Sequence, residues 1–200
     1  MFFKRVLAAI AAASVAFAAS QPADAALPHS DDVRTPALRG SFLHADFPAL
    51  QPFAHVMFCK INPTDCDVTN GPAVIPASAD LFGVLKAVNR RVNAQIIPRN
   101  DDPRVMGGDV WSLAPNAGDC EDYAITKRHE LLRMGFSSAA LRLAEAYAPS
   151  GAGHMVLVIT TSRGDYVLDN RTTDILPWDE TRLAYQLIQS SLDPHKWLKV

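Results

Sequence analysis

The sequence predicts an α+β fold, on three observations. An amphipathic helix fills 78–97, a second helix opens at Cys120 and closes before Gly135, and three strand-like segments follow at 140–147, 154–161 and 165–170.

The first residues are set aside before the fold is considered. Lys4 and Arg5 precede an apolar run from Val6 to Ala19, and Ala23-Asp24-Ala25 is a small-x-small site followed by Ala26. That run is shorter than the roughly 20 residues that span a bilayer. Residues 1–25 are therefore expected to be a secretory signal peptide cleaved near Ala25, which makes the mature protein periplasmic or secreted. No later segment reaches ~18 consecutive apolar residues, so no membrane span is expected in the mature chain. Removing 1–25 leaves 175 residues, enough for one core, and takes the formal charge from −2 to −3. No Lys/Arg run remains, which argues against a nucleic-acid partner.

Residues 26–52 hold Pro28, Pro36, Pro48 and Pro52 with little periodicity and are expected to form an extended lead, with the folded domain over 53–200. In the helix of 78–97, Leu81, Val84, Leu85, Val88 and Val92 share a face, Ser78 or Asp80 caps the start, and Pro98 stops it. A polar loop with Asp, Pro and Gly then delivers the chain to "NAGDCEDYAITKRHELLRMG", 116–135. There Asp119 is the expected N-cap, Glu121 and Asp122 occupy the first turn, and Gly135 is the C′ residue. Ala124, Ile125, Leu131 and Leu132 make its apolar arc. "SRGD" turns the last two strands into an antiparallel hairpin, and the end of the chain, with Trp178, Tyr185 and Trp197, packs back on the sheet.

There are three cysteines, an odd number for an exported protein. Cys59 and Cys66 flank a turn-forming stretch around Pro63 and are expected to pair, against the alternatives of two buried thiols or a metal pair. Cys120 is left over. A thiol at the first position of a helix meets free N–H groups and the positive end of the helix dipole, which favour a thiolate. The three acids around it, Asp119, Glu121 and Asp122, oppose that anion.

A nucleophilic thiol also needs a base. His154 opens an apolar strand after "SGAG" and is the best placed of the six histidines. His129 lies about 13.5 Å along Cys120's own helix, too far to take its proton. Asp169 ends the next strand of the hairpin, where pairing brings it beside His154 as the acceptor that orients the ring. As pattern alone, one Cys, one His and one Asp are weak, and an inert thiol, a strand-edge His and a turn Asp explain them as well.

"GDCEDYAITKR", "GHMVLVITT" and "GDYVLDN" together resemble the bacterial transglutaminase-like cysteine proteinases, and "FCKINPTDC", "VNRRVN" and "DVWSLAP" extend the likeness over Phe53 to Trp197. The resemblance implies a papain-like, transglutaminase-like core. The catalytic cysteine sits at a helix N-terminus packed on an antiparallel sheet that carries the His and Asp. Cys120 is then the nucleophile, His154 the general base and then acid, and Asp169 the orienter. LapG-like members are calcium-dependent periplasmic proteases that cut a surface adhesin and so release a biofilm. That likeness implies Ca²⁺ held by Asp119, Glu121 and Asp122, a protein substrate of adhesin type, and an inner-membrane regulatory partner. The alternative reading of these acids is a cap that complements the helix dipole. A Trp in transglutaminases suggests an oxyanion role for Trp111. Only eight residues separate Trp111 from Cys120, a spacing that points to a shorter subgroup. Acyl transfer to an amine, and a non-catalytic calcium-dependent binding module, are the competing functions.

Overall fold

The computed structural model describes residues 41–104 and 108–200; the expected signal peptide and the first part of the expected lead lie outside them. In chain order the elements are β1 (Phe47–Ala49), α1 (Phe53–Ile61), α2 (Pro63–Cys66), α3 (Ala79–Gln95), β2 (Ile97–Pro98), β3 (Ala117–Gly118), α4 (Cys120–Arg133), β4 (Leu141–Tyr147), β5 (Gly153–Thr161), β6 (Gly164–Leu168), β7 (Leu176–Pro177), β8 (Ala184–Gln189) and β9 (Trp197–Lys199). The main sheet runs β1-β9-β8-β4-β5-β6-β7, and every neighbouring pair in it is antiparallel. The fold is α+β, as the sequence predicts.

Pairing begins before the expected boundary at Phe53. Ser41 bridges Gly164, Leu43 donates its N–H to Asp165 Oδ2 at 2.9 Å, and β1 adds an edge strand beside β9. Proline is tolerated there because an edge strand has one unpaired side. The lead lacks periodicity because main-chain pairing at an edge needs none.

The first long helix, α3, starts after Ser78 as predicted but ends at Gln95, short of the expected Ile97, because Ile97 and Pro98 pair as β2. Ser78 Oγ accepts from Leu81 N–H at 3.0 Å, and Leu81, Leu85, Val88 and Val92 are buried. Val84 is exposed, and the stripe instead includes Asn89, which is fully buried. The second, α4, lies on β5 with α3 against it. Glu121 through Arg128 are all buried, so α4 is a central helix and not the amphipathic one that its apolar arc suggests. Arg128 is accommodated because its Nε donates to the Leu141 carbonyl at 2.9 Å and its Nη1 to the Asp65 carbonyl.

Both ends of α4 are defined by glycine. At the C-terminus Gly135 has φ +91°, its N–H donates to Leu132 O at 2.9 Å, and Phe136 N–H donates to Leu131 O at 3.1 Å. These two bonds make a Schellman cap, which requires the left-handed residue that glycine supplies. At the N-terminus a Cβ on Gly118 would lie 2.0 Å from Asp122 Oδ2, so only glycine lets that carboxylate fold back over the entry. Gly118 belongs to β3, whose parallel pairing with β2 closes the base of the long loop between α3 and α4.

Cys59 and Cys66 form the expected disulfide, linking α1 to α2. Closing a loop of this size contributes about 2–3 kcal/mol in the chain-entropy account. His55 rests on it, Nε2 to Cys59 Sγ 3.6 Å, and burial pushes that imidazole down to about 3, so it stays neutral. Trp197 is buried and stacks edge-on to His55, while Trp178 and Tyr185 pack on each other, so the chain's end returns to the sheet. No helix among the described residues is long and apolar enough to cross a membrane.

Candidate active site

Cys120 is the first residue of α4, and Asp119 holds the N-cap position with extended backbone. The Asp119 side chain does not cap the helix. Its Oδ2 accepts the N–H of Asp101 at 3.1 Å, tying the preceding loop to the helix start. Asp122 works as the helix's third residue, accepting the Ser112 N–H at 2.7 Å and folding over Gly118.

His154 is the second residue of β5 and Asp169 the first after β6. Leu157 pairs with Leu168. Continuing that register sets Asp169 opposite Val156, one diagonal step from His154 on the same side of the sheet. The two side chains meet, His154 Nε2 to Asp169 Oδ1 at 2.9 Å, and both are buried. Burial alone would raise the Asp169 carboxyl, but hydrogen bonds from His154 and Arg171 outweigh it and hold the group well below the usual carboxylate range. An ionised carboxylate only accepts, so Nε2 carries the proton and Nδ1 is left as the basic nitrogen.

One cleft of about 680 Å³ is lined by Cys120 and His154 together with Trp111, Asp109, Glu121 and Glu145, among others. The thiol does not turn to His154. Cys120 Sγ donates to Glu121 Oε2 at 3.1 Å. Burial, then the Glu121 charge and this hydrogen bond, push the thiol far above its ordinary range, which keeps it protonated. Burial and the nearby Asp109 and Asp119 carboxyls push Glu121 itself up to about 9. Burial likewise pushes Asp122 up to about 7, with the Ser112 amide opposing.

Acidic oxygens converge beside the thiol. Single oxygens of Asp101, Asp119 and Glu121 lie within 4.8 Å of one another, and Asp109 reaches Glu121. Asp119 Oδ1 and Asp109 Oδ1 are buried with no partner among the described residues. Such a set of hard, under-satisfied oxygens suits a divalent cation of the calcium type. Of the three expected ligands, Asp119 and Glu121 are in this cluster. Asp122 is not, because its carboxylate is committed to the main chain at the helix entry.

Trp111 is buried in the cleft wall against His55 and Phe58, and its Nε1–H donates to Asp109 Oδ2 at 3.1 Å. Its indole donor is thus already engaged. His129 donates Nδ1–H to Asp65 Oδ1 at 2.7 Å and lines no part of the cleft. Cys59 and Cys66 are spent on each other and do not line it either. Sequence reasoning missed Asp101 and Asp109, which come from the loop before α4. It also missed Glu145 on β4 and Arg171, which grips Asp169. The acid content of "NDDPRVMGGD" was the one available signal for the first two.

Residues 46–200 match the family described as bacterial transglutaminase-like cysteine proteinase. No curated protein sequence matches the chain. Among solved structures, calcium-bound LapG of Legionella pneumophila is similar with TM-score 0.50 and 25% identity, over 62% of this chain and 71% of that one. EGTA-treated LapG of the same organism is similar with TM-score 0.46 and 28% identity, over 57% and 64% of the two chains.

Proposed function

The chain belongs to the bacterial transglutaminase-like cysteine proteinase family and is a cysteine peptidase, and from that premise we propose that Cys120, His154 and Asp169 carry its reaction. The observation that carries this reading is the hydrogen bond that joins Asp169 to His154, which lines the same cleft as Cys120, the cysteine left outside the disulfide. His154 Nδ1 takes the thiol proton, and the sulfur attacks the scissile carbonyl. The resulting oxyanion lies at the start of α4, where the Cys120 N–H and the helix dipole are available to it. His154 then gives the proton to the leaving amine, and a thioester on Cys120 remains. With Nδ1 deprotonated again, His154 activates water to hydrolyse the thioester. Asp169 holds Nε2–H throughout and stabilises the imidazolium. Trp111 shapes the wall by packing, since its N–H belongs to Asp109.

Calcium fits the acidic cluster. Asp101, Asp119 and Glu121 would hold it with help from carbonyls or water, and Asp109 stands at its edge. When bound it supplies positive charge beside the sulfur. The calcium-bound neighbour and the unpartnered oxygens of Asp109 and Asp119 support this reading.

The substrate is a protein, and by analogy with the LapG-like branch we take it to be of the surface-adhesin type. The N-terminal segment supports a periplasmic or secreted setting, in which an inner-membrane regulator would act. Cys120→Ala is expected to abolish covalent thiol labelling and to leave one large surface protein uncut in comparative cell-surface proteomics. An unchanged cleavage pattern overturns the assignment.

A further inference from the structure

Asp169 has more partners than orienting one imidazole requires. Its Oδ1 accepts from His154 Nε2 at 2.9 Å and from the Arg171 main-chain N–H at 2.9 Å. The Arg171 side chain then spans both oxygens, with Nε 3.3 Å from Oδ1 and 3.1 Å from Oδ2, and Nη2 2.8 Å from Oδ2. Every hydrogen bond to Oδ2 among the described residues therefore comes from Arg171. The loop that carries both residues is pinned from α3. Asn93 Nδ2 donates to the carbonyls of Asp169 and Thr172 at 3.0 Å each, and Asn89 Nδ2 donates to Thr172 O at 2.9 Å.

A single hydrogen bond from His154 fixes one oxygen but leaves the carboxylate plane free to rotate about its Cβ–Cγ bond. A guanidinium that bridges both oxygens removes that rotation, because its donors are coplanar and rigid. Asp169 is the first residue past the end of β6, where no ladder hydrogen bond holds it. The fork and the two asparagines supply the rigidity that the strand does not.

We propose that Arg171 is a positioning residue of the triad, whose guanidinium fixes the plane of Asp169 so that Oδ1 stays on His154 Nε2. This rests on the triad reading above. Wholly buried Lys127 on α4 also faces Asp169, so what Arg171 alone supplies is the fork that spans both carboxylate oxygens. What is lost with Arg171 is that geometry. Behind Asp169 lies a second cavity of about 270 Å³, lined by Arg171, Thr172, Asp174 and Thr181 among others, and large enough for a small guanidinium.

The test uses hydrolysis of p-nitrophenyl acetate, whose acylation of Cys120 and deacylation by water both need His154. Arg171→Ala is expected to lower kcat about tenfold to a hundredfold, the scale of a misplaced catalytic group, with KM little changed. Millimolar methylguanidinium restores most of that loss, and ammonium does not. Arg171→Lys, which keeps the charge without the fork, stays impaired. In ¹⁵N-histidine NMR the hydrogen-bonded Nε2–H resonance of His154 broadens in Arg171→Ala and sharpens again with methylguanidinium. The proposal is overturned if Arg171→Ala stays within about twofold of the parent, if methylguanidinium restores nothing, or if Arg171→Lys is fully active. That last comparison holds even where the alanine variant fails to fold. Asp169→Asn is assayed in parallel. Full activity there overturns the triad reading itself, whereas an inactive Asp169→Asn beside an active Arg171→Ala rejects only the role of Arg171.

Discussion

At the scale of single residues, the central fact is that the Cys120 thiol faces a carboxylate. Glu121 Oε2 accepts a hydrogen bond from the Cys120 thiol at 3.1 Å, and the Glu121 charge is among the causes that keep the sulfur protonated. Glu121→Gln keeps the shape and removes the charge. In EGTA, alkylation of Cys120 by iodoacetamide is expected to begin at lower pH in this variant than in the parent, by on the order of one pH unit. A profile that is unmoved, or moved upward, refutes Glu121 as the restraint. With calcium added, the parent is expected to gain alkylation rate and Glu121→Gln to gain less, because the variant lacks one cation ligand. Cys120, His154 and Asp169 could be singled out as candidates from the sequence, because each sits at an element boundary that local patterns mark and the family resemblance points to the same three. Arg171 and Asn93 were not legible, since a side chain that supports another from a different element leaves no periodic trace.

At the scale of elements, α4 was the most legible part of the chain. A short run of acids before an apolar pattern and a glycine after it define a helix start and stop, and Gly135 closes it as expected. What the sequence did not disclose was the division of labour among those acids. Asp119, in the capping position, bonds Asp101, while Asp122 stabilises the entry from the third position. Gly118 makes that arrangement possible. Gly118→Ala brings a methyl group into the Asp122 carboxylate and is expected to cost about 2 kcal/mol or more. For a domain of this size that lowers Tm by roughly 4 to 8 °C, read by differential scanning fluorimetry. A variant as stable as the parent refutes the close approach. The hairpin was legible too, but its register was not: the expected pairing set Asp169 beside His154, whereas the ladder aligns Leu157 with Leu168 and so makes the two diagonal. In α3 the apolar count concealed Asn89 and Asn93, since a helical stripe tolerates a buried amide once a loop carbonyl receives it.

At the scale of the whole molecule, the cleft gathers groups from the loop before α4, from α4 itself and from the ends of β4, β5 and β8. No local window of sequence contains that convergence, which is why the acidic cluster was half legible and the β4 contribution not at all. The gathering has a thermodynamic consequence. In the folded chain Asp122 keeps its proton to about 7 and Glu121 to about 9, against 3.8 and 4.5 for the unperturbed groups, burial being the first cause in both. Between about pH 4 and pH 7 the folded state therefore binds more protons than the unfolded state, and stability falls as pH rises. Two groups act in the opposite sense: burial lowers His55 from 6.5 to about 3, which offsets one of the two carboxyls below about pH 6.5, and lowers Lys127 from 10.5 to about 7. From there upward the folded state has already released a proton that the unfolded state retains, and stability gains with pH. In EGTA, Tm is expected to decline from about pH 5 to about pH 7 and then to level off as Lys127 offsets Glu121. A cation on Asp101, Asp119 and Glu121 binds the Glu121 carboxylate in its ionised form and competes with its proton. The Tm increment from excess calcium therefore grows as pH rises over the same window, by the mass-action relation between ligand binding and stability. Tm curves that coincide with and without calcium would show that the cluster binds no ion in the folded state, and the acids would then act on Cys120 by their charge alone.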